Sequence, residues 1–139
     1  MSYGYHQDGT LPPEGGGWIF VFGSNESGRH GKGASKVAEG LFGAKRGVSY
    51  GLQGESFAIP VKDARIRTLP LEAIRTYVDR FLRDAAAMPD RRFFVARVGC
   101  GPFNYSDEDM APMFRGAPTN CNFAHEWAAY LGSTMMGQQ

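Results

Sequence analysis

Three short apolar runs, rich in β-branched and aromatic residues, stand out along the chain. They lie at 18–22, 56–61 and 93–98; the first and third stop at a glycine, and the second closes with an Ile-Pro pair. The first run is unbroken and bounded by glycines, which is typical of a strand buried on both faces of a sheet, and the other two runs are mostly apolar and β-like. The pattern therefore predicts three central strands.

Apolar positions elsewhere follow the period of a helix. The clearest stripe lies in 70–87, where apolar residues recur at i, i+3, i+4, i+7, i+8 and i+11. Thr68 is a candidate cap for this helix, and Pro70 suits its first turn. Further helices are predicted over 32–41, over 123–131, and from Ser106 onwards, where three acidic residues suit the positive end of a helix.

The remaining segments set the domain boundaries. Residues 42–54 are rich in glycine and are predicted to form a connection. Residues 1–17 are polar, contain proline and end in three glycines, so we predict a flexible arm outside the fold. This leaves 18–139 as one domain. The alternation of strands and helices predicts an α/β fold with a largely parallel sheet, in which ligands bind at the carboxyl ends of the strands.

Composition narrows the classes of function. The net charge is +1, which argues against general binding to nucleic acid. No stretch approaches the ~18 apolar residues that a membrane span needs, and the N-terminus lacks a secretory pattern, so we expect a cytoplasmic protein with no membrane partner. The two cysteines lack CxxC spacing, which favours free thiols over a disulfide between them. No residues have metal spacing, and no cofactor is predicted.

The first glycine-rich loop follows the first predicted strand and leads directly into a helix. Its glycines let backbone amides approach an anion, and the helix N-terminus and nearby cations raise the local potential. Arg29-His30 stands where a Walker A loop has Gly-Lys, and no GxGxxG is present. The alternative is glycines that only form a tight turn. The candidate ligand-binding residues are Gly23, Ser24, Asn25, Gly28, Arg29, His30, Gly31, Lys32 and Gly33.

Some of these side chains have more than one interpretation. Asn25 is placed to reach a ribose hydroxyl or to form a turn. His30 is a candidate base or phosphate donor, or an ordinary surface histidine. Lys62 and Asp63 follow the middle strand and either point into the same cleft or form a solvated charge pair.

The second loop, Gly99-Cys100-Gly101, leaves the third strand and enters a helix. Phe103 and Tyr105 are candidates for stacking on a base or ribose, with hinge packing as the alternative. Cys100 is more typical of a small buried residue than of a nucleophile, since no histidine pairs with it in the sequence.

Several motifs occur in a recognisable order. They are FGSN at 22–25, GRHGxGA at 28–34, GLQGxSxAIPxKD at 51–63, VGCG at 98–101, DE at 107–108 and APMF at 111–114. Together they resemble a family of small phage non-structural proteins over residues 18–127, and they are more distantly similar to macro domains of the DarG-type ADP-ribosyl glycohydrolase branch. The resemblance implies a three-layer α/β/α sandwich with a mixed, largely parallel sheet that binds ADP-ribose or a relative.

The resemblance also implies roles and a location. The two glycine loops would grip a diphosphate, Lys62 matches the catalytic lysine of the Pro-x-Lys turn, and a phage protein would act in the host cytoplasm. Pro102 and Phe103 depart from the glycines that this branch has after GCG, which suggests a compact or cyclic ligand.

Three hypotheses of function follow. The first is a binder that sequesters a small nucleotide ligand, such as a host immune signal made from ADP-ribose or a cyclic nucleotide. The second is a hydrolase in which Lys62 acts at the ribose, with His30 or Asp63 assisting a water. The third is a structural or partner-binding protein whose loops only shape the fold. A homo-oligomer stays open in all three.

Overall fold

A computed structural model describes residues 3–101 and 104–131. In chain order the regular elements are β1 (Gly4–His6), β2 (Trp18–Asn25), α1 (Gly33–Leu41), β3 (Gly51–Gln53), β4 (Ser56–Lys62), α2 (Leu71–Ala86), β5 (Arg92–Val95), α3 (Asp107–Met110), a 3₁₀ turn (Ala111–Phe114), β6 (Cys121–Ala124), a second 3₁₀ turn (His125–Trp127) and α4 (Ala128–Leu131).

Within the described residues, six strands form one sheet in the order β1-β6-β5-β2-β4-β3. All neighbouring pairs are parallel except β3 and β4, which form an antiparallel pair. Strand β2 lies between β5 and β4, and this central position accounts for its unbroken apolar sequence. Pro60 is accommodated in β4 because it lies beyond Ala58, where the pairing with β3 ends. Its missing N–H therefore breaks no hydrogen bond between these two strands.

Helical segments cover both faces of the sheet. Side chains alternate along β2, so Ile19 and Val21 join a large buried cluster with α2, whereas Phe20 and Phe22 join a smaller one with α1. The large cluster also contains Trp127, from the second 3₁₀ turn. The predicted α/β fold with a largely parallel sheet is confirmed, as a sandwich of helices, sheet and helices.

Two of the predicted helices are close to the observed ones. Helix α1 spans Gly33–Leu41, against a prediction of 32–41, and α2 spans Leu71–Ala86, against 70–87. Helix α3 begins after Ser106, as predicted, and Ser106 caps it by accepting a hydrogen bond from the N–H of Asp109. Pro70, not Thr68, occupies the N-cap of α2, so that detail of the prediction is wrong.

Three short strands, β1, β3 and β6, were not predicted. Gly51–Gln53 forms β3 inside the segment predicted as a connection. Cys121–Ala124 forms β6, so the helix predicted over 123–131 is wrong at its start, and its only α-helical turn is Ala128–Leu131.

The predicted arm outside the fold is wrong for its first residues. Gly4–His6 pairs in parallel with β6 as the edge strand β1. The Tyr3 ring packs edge-on against Phe123, and its hydroxyl donates to the carbonyl of Ala117 at 2.6 Å. The N-terminal segment is therefore part of the sheet, and its next residues reach the edge where the parallel strands end.

Candidate functional site

The described residues form two clefts at the carboxyl edge of the parallel strands, one on each side of the N-terminus of α1. Each has a volume of about 460 Å³, within the usual range for small-molecule sites of roughly 300–1,000 Å³. Ala34 lines one cleft and Ser35 lines the other, so the first turn of α1 separates them.

We call the cleft between the ends of β2 and β4 the cationic cleft. Its lining residues are Gly23, Ser24, Asn25, Arg29, Gly31, Lys32, Ser35, Val61, Lys62 and Ile66. We call the other the N-terminal cleft; it lies beside β5 and the segment that follows β1. Its lining residues are His6, Asp8, Gly9, Thr10, Leu11, Phe20, Ala34, Val37, Ala96, Arg97, Cys100 and Gly101.

The cationic cleft carries positive charge without an opposing carboxylate among the described lining residues. Arg29, Lys32 and Lys62 supply the charge. Arg29 is held in place, because its guanidinium donates to the hydroxyl of Ser27 at 3.2 Å and to the carbonyl of Ala64 at 3.0 Å. None of the described side chains caps the first turn of α1, and the N-terminus of this helix adds partial positive charge at this edge.

The polar side chains that end β2 are occupied by their own surroundings. Asn25 accepts hydrogen bonds from the N–H of Arg29 (3.0 Å) and the hydroxyl of Ser27 (2.6 Å), and its amide donates to the Arg29 carbonyl (2.7 Å). The Ser24 hydroxyl donates to the carbonyl of Ser49 at 2.6 Å. Asn25 therefore closes the loop, as in the turn-forming interpretation, although it also lines the cleft.

Two residues of the first loop face the protein interior. Gly28 has φ +71°, and a Cβ there would lie 2.5 Å from the carbonyl carbon of Gly47. His30 is 3% exposed; its Nε2 donates to the Lys45 carbonyl at 2.9 Å, and its ring packs edge-on against Phe22. Neither residue lines a cleft, so the prediction of His30 as base or phosphate donor is corrected to a packing role.

Lys62 and Asp63 are neighbours at the end of β4, but their side chains have different surroundings. Lys62 lines the cationic cleft. Asp63 instead closes the following loop, where it accepts hydrogen bonds from the N–H of Arg65 (2.8 Å) and of Arg67 (2.9 Å). Hydrogen bonding from Arg67 lowers the pKa of Asp63. The prediction of Asp63 as a ligand-binding residue is therefore corrected to a loop-closing role.

The second loop likewise contains residues that line a cleft and residues that pack on the core. Gly101 and Cys100 line the N-terminal cleft, whereas Gly99 is buried against Met110. The Tyr105 hydroxyl donates to the carbonyl of Leu69 at 2.9 Å and its ring packs on the large core cluster, as in the packing interpretation. Phe103 lies outside the described residues.

Asp107 connects the second loop to the core. Its carboxylate accepts hydrogen bonds from Arg97 (2.6 and 2.9 Å), from the indole of Trp127 (2.7 Å) and from the Cys100 thiol (3.4 Å). Burial raises the pKa of Asp107, but these hydrogen bonds outweigh burial and lower it below its ordinary value. Burial, reinforced by Asp107, raises the pKa of Cys100 to about 12, which favours the protonated thiol over the reactive thiolate at neutral pH.

The sequence interpretation missed the N-terminal side of the site. Arg97 also bonds Asp8 at 3.1 Å, which fastens the segment after β1 beside the second loop. His6 stacks on Phe94 with ring centroids 3.7 Å apart, and burial lowers its pKa. The alternation of Tyr3 with Tyr5, which both pack on the large core cluster, was the one signal of a strand here.

No family model, curated protein or solved structure matches this chain. The resemblance to phage proteins and macro domains thus stays a prediction that rests on the motifs. In residues 3–101 and 104–131, no group of three or more His, Cys, Asp or Glu side chains is placed to hold a metal ion. None of the helices in those ranges is long and apolar enough to cross a membrane.

Proposed function

We propose that the protein binds a nucleotide-type ligand, such as ADP-ribose or a cyclic relative, without converting it. The phosphate group occupies the cationic cleft, and a base reaches the N-terminal cleft. The observation that carries this proposal is the position of the N-terminus of α1, which no described side chain caps, between the two clefts. Backbone amides at such a terminus are natural partners for phosphate oxygens.

The charges of the two clefts support this orientation. Arg29, Lys32 and Lys62 face the cationic cleft with no carboxylate among its described lining residues. In the N-terminal cleft, Arg97 is already paired with Asp8, which also lines that cleft. An anionic group is therefore more stable in the cationic cleft.

The walls of the N-terminal cleft suit an uncharged ring. Leu11, Val37 and the nearly buried Phe20 contribute apolar surface, and the Thr10 hydroxyl, which donates to the Gln7 carbonyl, keeps its capacity to accept a hydrogen bond. Ligand sites commonly combine apolar walls with a few polar groups in this way.

Binding is favoured over hydrolysis because no described residue that lines the cationic cleft can serve Lys62 as an acid–base partner. Among the described residues that line the cationic cleft there is no carboxylate and no imidazole. His30 is buried behind the loop, and Asp63 is bonded to its own turn. A hydrolase would need a group to activate water within hydrogen-bond reach of the substrate.

The test is calorimetric titration of the purified protein with ADP-ribose, cyclic ADP-ribose and linear and cyclic dinucleotides, followed by mass spectrometry of the recovered ligand. We expect at least one of them to bind and to be recovered intact. Lys62→Ala should weaken that binding about tenfold, because a charge-assisted hydrogen bond contributes ~1.5 kcal/mol or more.

Lys45→Ala is the matched control, since it removes an exposed lysine that lines neither cleft. It should change the affinity less than about twofold. Recovery of a cleaved ligand would establish the hydrolase instead. Absence of binding by all the ligands would leave the partner-binding hypothesis.

A further inference from the structure

Ile66 has an unusual backbone conformation. Among the described residues it is the one residue other than glycine with positive φ, at +65°. A β-branched side chain in this region is a genuine outlier, because Cβ crowds the backbone. The loop imposes the conformation: the Ile66 N–H donates to the carbonyl of Asp63 at 3.0 Å, and the Asp63 carboxylate accepts the N–H groups of Arg65 and Arg67.

The isoleucine side chain is not explained by packing. It is 42% exposed and belongs to neither buried cluster of the core. It lines the cationic cleft, where its neighbours in the lining include Lys62 and Arg29. Glycine or asparagine would meet the backbone requirement with less strain, and either would expose less apolar surface.

The order of the strands places Ile66 at the far end of the site. The N-terminal cleft lies beside β5, the N-terminus of α1 follows β2, and Ile66 follows β4, which is the next strand along. Consider a ligand whose base lies in the N-terminal cleft and whose phosphates lie at the N-terminus of α1. Only the part of that ligand on the far side of the phosphates can reach Ile66.

We propose that Ile66 is a specificity-determining residue that packs on a second ring of the ligand, on the side of the phosphates opposite the base. This rests on the proposed function and deepens it, since it makes the ligand class a nucleotide with a ring at each end of its phosphate group. Apolar side chains commonly pack on the carbon face of such a ring, whereas cations and amides hold the phosphates.

The test compares ADP-ribose with ADP, which shares its adenosine and diphosphate and lacks the second ring. The wild-type protein should bind ADP-ribose more tightly than ADP. Ile66→Asn should weaken ADP-ribose binding about tenfold and change ADP binding less than about twofold, because only the contact with the second ring is lost. Ile66→Val, which keeps an apolar β-branched side chain, should retain most of the preference.

Leu41→Asn is the matched control, because Leu41 is an apolar residue of similar exposure, 46%, that lines neither cleft. It should leave both affinities unchanged. The melting temperature of ligand-free Ile66→Asn should equal or exceed that of the wild type, since asparagine tolerates the left-handed region.

The outcomes separate this proposal from the one it rests on. If the wild-type protein binds none of the nucleotides tested, the proposed function fails and this inference fails with it. If the wild type binds ADP-ribose and Ile66→Asn leaves the ADP-ribose to ADP ratio unchanged, the inference alone is overturned. Equal weakening of both ligands, together with a lower melting temperature, would show that Ile66 only maintains the loop and would also overturn it.

Discussion

Replacing Asp107 with alanine removes the acceptor that joins the second glycine loop to the core. Trp127 is fully buried and donates its indole N–H to this carboxylate at 2.7 Å. Arg97 donates two further hydrogen bonds, and the side chains of that ion pair are only 31% and 22% exposed. The truncation leaves a buried donor unpaired and releases a partly buried cation.

The two effects differ in size. A buried polar group left without a partner destabilises a protein by ~1–3 kcal/mol. The loss of the Arg97–Asp107 ion pair should destabilise the protein by ~1–2 kcal/mol, which lies between the values for surface and buried pairs. The value is intermediate because Arg97 keeps its ion pair with Asp8 and some access to water. We expect Asp107→Ala to lower the free energy of unfolding by about 3 kcal/mol, or the melting temperature by ~10 °C for a domain of this size.

Equilibrium unfolding in urea, followed by tryptophan fluorescence, measures this difference. Glu108→Ala is the matched control, because Glu108 is an exposed acid in the same helical turn. Its effect should stay within ~0.5 kcal/mol. If Asp107→Ala destabilises the protein no more than this control, the hydrogen-bonded cluster contributes nothing to stability and our reasoning is refuted.

The pH dependence gives an independent check on Asp107. Its pKa in the folded protein lies below the ordinary value, so its contribution to stability is complete above the pKa of the unfolded chain, ~3.9. The contribution disappears as the pH falls through the lower folded pKa. The stability difference between wild type and Asp107→Ala should therefore be constant from pH 7 to about pH 5 and should shrink below about pH 4.

Two further predictions concern the loops and the thiols. Gly28→Ala should destabilise the protein by ~2–4 kcal/mol in the same urea assay, because φ is +71° and the new methyl would lie 2.5 Å from the backbone of Gly47. Gly31→Ala is the control and should leave the stability unchanged, because its Cβ would meet no described atom within 4 Å. Equal destabilisation by the two substitutions would contradict the prediction. Burial raises the pKa of both Cys100 and Cys121 to about 12, so a thiol-specific disulfide reagent at pH 8 should react with the native protein far more slowly than with the urea-unfolded chain. Rapid reaction of the native protein would show that a thiolate is accessible.

Long, strongly patterned elements could be predicted from the sequence, and short ones at the edges of the sheet could not. Helix α2 buries a stripe that includes Ile74, Val78 and Phe81, so its period is visible along the chain. Strand β6 has four residues and carries Asn122, which bonds His6 of β1. The partner that makes this asparagine compatible with a strand lies 116 residues away, and no local pattern reveals it.

The shared edge at which the predicted loops meet follows from the sequence, but the directions of their side chains do not. Parallel strands bring the loops after β2, β4 and β5 to one edge, and this follows from the order of the elements alone. Which side chains face the cleft depends on partners elsewhere in the fold. His30 turns to the carbonyl of Lys45, and Arg97 bonds Asp8 across 89 residues.

The glycines of the first loop show that packing and ligand access are separate requirements within one motif. Gly28 lies against the backbone of Gly47, where no side chain fits, so the fold alone accounts for it. At Gly31, which lines the cationic cleft, a Cβ would meet nothing within 4 Å, so packing does not require glycine there. An open backbone beside cations and an uncapped helix N-terminus is what close approach of a phosphate group needs. The tight-turn interpretation therefore accounts for Gly28, whereas Gly31 is the glycine of this loop at which the proposed anion cradle can be tested.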